Sequence, residues 1–334
     1  VTSTASILTI RENPEIIAGP ATQTVCAGQS VTFNVNVGVT TGVSYQWRKN
    51  GSNIVGATSS SYTIATTAST DAGSYDVIVS GTCTPPVTSA AATLTINALP
   101  AITAQPVASQ AICEGSAASF SVTASGTGLS YQWKKNGVDI SGATSNTYTI
   151  ATTATADAGT YTVVVSGTCS PSVTSTGAVL TIQERPEIIT GPTTQTVCAG
   201  QSVTFSVSAG VTTGVFYQWR KNGSNIVGAT SSSYTIATTA STDAGSYDVI
   251  VSGTCTPPVT STAATLTINA LPAITAQPVA SQAICEGSAA SFSVTASGTG
   301  LTYQWKKNGV DISGATSNTY TIATTATADA GTYT

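Results

Sequence analysis

The sequence predicts an all-β protein built as a tandem array of small β-sandwich domains, and three observations carry that prediction. The first is repetition: Cys26 to Cys198 and Cys113 to Cys285 are both 172 residues apart, and Cys113 divides its period into steps of 87 and 85. A unit of that length recurring in file contacts mainly its neighbours along a line. The second is alternation, as in SVTFNVNV and SYTIATT, where every other residue is apolar and one face of an extended strand is buried. The third is composition: 41% of the 334 residues are hydrophobic and only 7% are charged. That supplies one core per unit and leaves solubility to Ser, Thr, Asn and Gln.

The period divides the chain into a last strand of a preceding domain at 1–10, whole domains at 11–96, 97–182 and 183–268, and a fourth at 269–334 truncated in its penultimate strand. Val1 to Ile10 (VTSTASILTI) reads like Val173 to Ile182 (VTSTGAVLTI), and Thr334 stands where Thr162 stands in its own unit. The expectation is a window cut from a longer array.

Within residues 11–96 the elements follow in order. Pro14 and Pro20 limit Pro14–Val25 to a broken edge segment. Val31, Phe33 and Val35 alternate with polar residues and give a strand with an apolar inner face. Tyr45 and Trp47 share the inner face of the next strand, which Asn50-Gly51 closes as a two-residue hairpin, since this dipeptide tolerates positive φ at both central positions. Tyr62 and Ile64 mark another strand. Asp71-Ala72-Gly73-Ser74-Tyr75 is a tight corner, Val77 and Val79 form the strand after it, and Leu94 and Ile96 end the unit.

Seven or so short strands, one Trp, and Asp-Ala-Gly-x-Tyr near the end resemble the immunoglobulin fold, closest to the intermediate set of tandem arrays. The resemblance implies core tryptophans at Trp47, Trp133, Trp219 and Trp305 and corner tyrosines at Tyr75, Tyr161, Tyr247 and Tyr333, with Asp71, Asp157, Asp243 and Asp329 opening the corners. More narrowly, C-x-G-x-x-x-x-F…YQW-x-KNG…DAG-x-Y…V-x-G-x-C is similar to the Ig-like repeats of large secreted cell-surface adhesins of Bacteroidota, including those of gliding bacteria. That likeness implies an extracellular, cell-surface location. The chain departs from antibody-type domains two residues after the corner Tyr, where Val77, Val163 and Val249 replace the second cysteine. With Val35 on the facing strand, the intersheet bridge becomes an apolar contact.

The sandwich that the resemblance implies then places the seven cysteines. Cys26 lies nine residues before Val35 and Cys83 six residues after Val77, toward opposite ends of one domain. At ~3.3 Å per residue they stand on the order of 30 Å apart, against the roughly 7 Å between Cα atoms that a disulfide spans. Successive domains bring the two kinds of cysteine together instead. The expected pairs are Cys26 with Cys169 and Cys113 with Cys255, Cys198 awaits a further cysteine near position 341, and Cys83 and Cys285 reach outside the window. Intradomain pairs such as Cys26 with Cys83 are the alternative. Short linkers, Asn97-Ala98-Leu99 and Gln183-Glu184-Arg185, run straight into Pro100 and Pro186, which limits bending.

The chain has no His, which removes His-based triads, His metal ligands and His general bases. No catalytic residue, metal site or cofactor is expected, and the protein is not read as an enzyme. Asp71 is read as a corner hydrogen-bond acceptor, and Asp76, Asp139 and Glu114 as solvated charges rather than calcium ligands. Arg48-Lys49 and Lys134-Lys135 are read as solubilising strand charges. Asn50-Gly51-Ser52 and Asn222-Gly223-Ser224 match a glycosylation sequon that turn chemistry already explains. Phe216, in place of Ser44, is the one large apolar residue at an outward position. A net charge of -4 offers nothing to nucleic acid, and no apolar run of about 18 residues spans a membrane.

These readings converge on a structural repeat region: the stalk or filament of a secreted bacterial adhesin, with neighbouring repeats of the same chain as its first partners. Surface glycans bound by accessory modules, or other adhesin chains assembled laterally through Thr-rich edge strands, are the rival expectations.

Overall fold

The computed structural model describes residues 2–38, 41–210 and 214–334. Contacts divide the chain into two compact units, Val1–Ile182 and Gln183–Thr334. Each holds two sandwiches of the same kind.

In the first sandwich the strands are β1 (Ile16–Ala18), β2 (Gln23–Cys26), β3 (Val31–Asn34), β4 (Asn36–Val37), β5 (Ser44–Lys49), β6 (Ser52–Asn53), β7 (Ser61–Ile64), β8 (Gly73–Ser80), β9 (Val87–Thr88) and β10 (Ala92–Asn97). One layer runs β2-β10-β8-β5-β6, with β9 on β8; the other is made of the pairs β1-β4 and β3-β7. Alternation does the sorting: Val31 and Phe33 are buried and Thr32 and Asn34 exposed along β3, and Tyr75, Val77 and Val79 are buried along β8. Trp47 fills the centre with no exposed surface, and its ring lies 6.2 Å from Phe33 and 6.3 Å from Tyr62. Its indole N–H, which burial would otherwise orphan, donates to Ser59 O at 2.9 Å. Val35 and Val77 sit in this same core.

The hairpin closes through Asn50 at φ 50° and Gly51 at φ 79°, with Lys49 opposite Ser52. Pro20 falls between β1 and β2 and breaks the edge segment in two. The first piece stays antiparallel to β4, and the second crosses to the other layer and runs parallel to β10, with Cys26 opposite Asn97. The second sandwich repeats the plan around Trp133, Phe120, Tyr161, Val163 and Leu180.

In the second unit, Trp219, Phe205, Tyr247, Val249 and Leu266 form the core of the third sandwich. The fourth keeps Trp305 buried and the pair Ala290–Ser293 with Thr319–Ile322, while its Tyr333 makes only a single bridge to Lys307.

The segment 1–10 is expected as the last strand of a preceding domain. Val1 lies outside the described residues; residues 2–10 lie in no strand and are exposed, since no described strand pairs with them. A strand has no stability of its own without neighbours to take its backbone hydrogen bonds.

Candidate interdomain junction

Within the first unit, the residues that meet between the two sandwiches are the ends of β2 and β10 from one domain and the hairpin carrying Cys169 from the next. Ala27 N–H donates to Asn97 O at 2.9 Å and fixes Cys26 beside the last residue of β10. The turn after Cys26 is tied down by Thr67, 3% exposed, whose hydroxyl donates to Gln29 O at 2.9 Å, and by Gln29, whose Oε1 accepts Cys26 N–H at 3.1 Å. From the other side, Ala98 N–H donates to Thr127 Oγ1 at 2.9 Å and Thr127 N–H to Ala98 O at 3.1 Å, clamping the linker to the second sandwich. Pro100 is buried next to this clamp. Gly167 lets the Cys169 hairpin close over it, because a Cβ there would stand 2.9 Å from Thr127 O. Cys169 Sγ is thereby placed 3.7 Å from Asn97 O.

Cys26 and Cys169 are joined by a disulfide, with Cα atoms 5.8 Å apart and a sequence separation of 143. Cys83 is a free thiol whose Sγ donates to Arg11 O at 3.5 Å, and Cys198 and Cys285 are free and exposed. Cys26 and Cys83 are therefore not a pair. Cys113 and Cys255 are engaged and are not free thiols; Cys255 Sγ lies 3.5 Å from Gln183 O, the counterpart of Asn97.

The corner residues stand within each sandwich, away from the junction. Tyr75 Oη donates to Asp71 O at 2.7 Å, and Tyr161, Tyr247 and Tyr333 do the same to Asp157, Asp243 and Asp329. Asp71 Oδ2 accepts Ala68 N–H at 2.8 Å. Burial, followed by the nearby Tyr62 and Asp71, pushes the Tyr75 phenol up to about 12, and burial first does the same to Tyr161 and Tyr247.

Two readings of surface charge need correction. Asp76 is no solvated carboxylate: both its oxygens accept from Arg48 at 2.7 and 2.9 Å across β5 and β8, and Arg220 holds Asp248 likewise. The residues face each other in register, Arg48 opposite Asp76, which makes a cross-strand pair. Asp139 is paired too, with Lys134 at 2.6 Å. Lys49 is no simple solubilising charge either, since its ammonium donates to Thr70 O and lies 5.8 Å from the Tyr75 ring centre, roofing the corner. Phe216 is outward, at 67% exposure.

Among the described residues no group of three or more His, Cys, Asp or Glu side chains could hold a metal ion, and no helix is long and apolar enough to cross a membrane.

Known proteins set this geometry in context. The sequence profile described as immunoglobulin domain matches residues 13–80 and 185–252. The three-domain I67–I69 fragment of the titin I-band superposes with a TM-score of 0.60 at 17% identity, covering 78% of this chain and 99% of its own. The chain is a tandem array of immunoglobulin-like domains. Immunoglobulin domains 1–4 of Sidekick-1 also match, at 20% identity over 96% of this chain and 93% of theirs, with a TM-score of 0.38 that carries no argument here. No curated protein matches the sequence. In this immunoglobulin-like array the residues that sequence reasoning missed are Thr67, Gln29 and Thr127, which hold the cysteine-bearing turns. For Thr67 and Gln29 the signal was present as the repeated Ile-Ala-Thr-Thr and Cys-Ala-Gly-Gln, and for Thr127 as Gly-Thr-Gly, which recurs at 298–300, but Thr and Gln are so frequent here that none of these motifs stood out.

Proposed function

We propose that this chain is a structural repeat region of a secreted bacterial cell-surface adhesin, forming part of its stalk or filament, with consecutive immunoglobulin-like domains cross-linked by disulfides. The observation that carries the reading is the bond between Cys26 and Cys169, which ties each end of a linker to a covalent bypass. A disulfide of this kind persists in an oxidising, extracellular compartment. The wider pattern is an interlaced series: Cys26 with Cys169 spans Cys113, and Cys113 with Cys255 spans Cys169. In such a series one backbone cut between two bonded cysteines does not part the chain. The absence of His and the low charge fit a load-bearing role, and the Bacteroidota adhesin repeats that the sequence resembles supply the bacterial setting.

Non-reducing peptide mapping of the full chain tests the interlacing: the expected result is one peptide pair holding Cys113 and Cys255. Recovery of Cys113 with Cys83 or Cys198 would overturn it. Expression on a bacterial surface, with the repeats deleted or kept, tests the stalk. Deletion should shorten the distance of a distal tip from the cell without removing its binding activity.

A further inference from the structure

Each complete sandwich carries one Asn-Gly pair: Asn50-Gly51, Asn136-Gly137 and Asn222-Gly223. This is the dipeptide that loses its side-chain amide most readily, because glycine offers its backbone nitrogen with no side chain to hinder it. That nitrogen attacks Cγ of the asparagine and closes a five-membered ring. Closure requires the nitrogen and Cβ to lie nearly eclipsed about the Cα–C bond. It also requires a carboxamide free to turn toward the nitrogen.

The fold denies both. Asn50, Asn136 and Asn222 have φ of 50°, 49° and 49°, and the glycines after them 79°, 83° and 79°. In this left-handed region ψ is about +30 to +60°, which turns the following nitrogen nearly anti to Cβ. The hairpin register holds it there, since Lys49 stands opposite Ser52, Lys135 opposite Val138 and Lys221 opposite Ser224, and a two-residue turn has no slack. The carboxamide is fixed as well. Oδ1 accepts Ser74 N–H in the first sandwich, Thr160 N–H in the second and Ser246 N–H in the third, each at 2.9 Å. The N–H of each asparagine donates back to the carbonyl of that same residue, at 2.7, 2.8 and 2.8 Å. Gly73 lies flat against the Asn50 amide, where a Cβ would stand 2.8 Å from Oδ1 and 3.1 Å from Nδ2, and Gly159 and Gly245 do the same for Asn136 and Asn222. The turn is therefore locked by the first residues of the corner strand.

We propose that Asn50, Asn136 and Asn222 are latent modification sites, closed while their sandwich is folded and released to deamidate when the hairpin comes away from the corner strand. In the released chain hydroxide removes the proton of Gly51 N, which bonds to Asn50 Cγ. The Cγ–Nδ2 bond breaks, and Nδ2 leaves as ammonia with a proton taken from water, which restores the hydroxide. Water then opens the ring at one of its two carbonyls and gives aspartate or isoaspartate, with no change of oxidation state. The two products meet the fold differently. Aspartate keeps Oδ1 and the turn. Isoaspartate routes the backbone through the former side chain and lengthens it by one methylene, so the turn no longer sets Lys49 opposite Ser52. A sandwich that has opened is thereby marked, and its isoaspartate form does not close again.

This inference goes beyond the stalk reading and stands without it. The native full chain is held in mildly alkaline buffer beside a synthetic peptide of residues 46–54, which carries the Asn-Gly pair without the corner, and both are read by peptide mass spectrometry. Deamidation at the three sites should be slower in the chain by roughly tenfold or more, because local opening must break at least one hydrogen bond first. The chain kept unfolded in guanidinium should react like the peptide. On dilution, molecules with isoaspartate should be absent from the native fraction and those with aspartate should return to it. Gly73→Ala, whose methyl displaces the Asn50 amide, should speed the reaction at Asn50 relative to Asn222 in the same molecule; equal rates there would remove the corner as the lock. Native rates equal to those of the peptide, or isoaspartate shared evenly between native and non-native fractions, would overturn the proposal.

Discussion

Tyr75 shows how a single side chain closes a corner. Its ring stacks on Phe33 with centroids 4.7 Å apart, and its hydroxyl ends on the carbonyl of Asp71 four residues back. Tyr75→Phe leaves the ring and removes that hydrogen bond, so stability should fall by about 1 kcal/mol, read from the denaturant midpoint. The buried phenol also sets a pH limit. The folded-state value for Tyr75, Tyr161 and Tyr247 is about 12 against an ordinary 10. A raised folded value means that this contribution is complete below the unfolded value and is lost as pH climbs through the folded one, because the unfolded chain sheds its proton first. Melting temperature should therefore hold steady up to about pH 10 and drop toward pH 12. The triple variant Tyr75→Phe, Tyr161→Phe and Tyr247→Phe should flatten that drop. The corner tyrosines were legible in the sequence because Asp-Ala-Gly-x-Tyr recurs. The bond of Arg48 to Asp76 was not, since only the register of β5 against β8 brings residues 28 apart face to face.

At the scale of elements, the hairpin and the corner strand hold each other. Asn50 Oδ1 accepts Ser74 N–H at 2.9 Å, so the turn between β5 and β6 is pinned to the start of β8. The fit requires glycine next door: Gly73 has φ +151°, and a Cβ would stand 2.8 Å from Asn50 Oδ1. Gly73→Ala should destabilise the first sandwich by roughly 2 kcal/mol through overpacking and backbone strain. Adding Asn50→Gly removes the colliding atom, and the two changes together should cost less than their sum. Equal denaturant midpoints for the double variant and the additive expectation would count against this coupling. Strand positions were readable from alternation, and the Asn-Gly turn from its chemistry. The parallel run of β2 along β10 was not readable, because Gln23–Cys26 lacks a clean alternating pattern and a four-residue parallel edge leaves no turn signature. It is this pairing that sets Cys26 beside Asn97, so the junction could be inferred only from an assumed domain.

At the scale of the whole molecule, the cysteine spacing decides how load passes along the backbone. A force applied at the two ends enters at Cys26 and crosses directly to Cys169, so the 143-residue interval between them is bypassed. That interval contains most of the first sandwich and most of the second, including Trp47 and Trp133. Neither core can be drawn out while the bond holds, whereas in the reduced chain both lie on the load path. At ~3.6 Å per fully extended residue the bypassed interval amounts to roughly 500 Å. Single-molecule stretching should therefore show a final contour length longer by about that amount in the presence of a thiol reductant. The second, proposed closure of Cys113 with Cys255 adds to this figure: the taut route from Cys26 to Cys255 then crosses to Cys169, runs back along the 56 residues to Cys113 and crosses again, where with the first bond alone it follows the 86 residues from Cys169 to Cys255. The difference of 30 residues is about 110 Å of extended backbone. Without reductant Cys255→Ser should therefore extend about 110 Å further than the original chain, and an unchanged contour length would rule out the second closure.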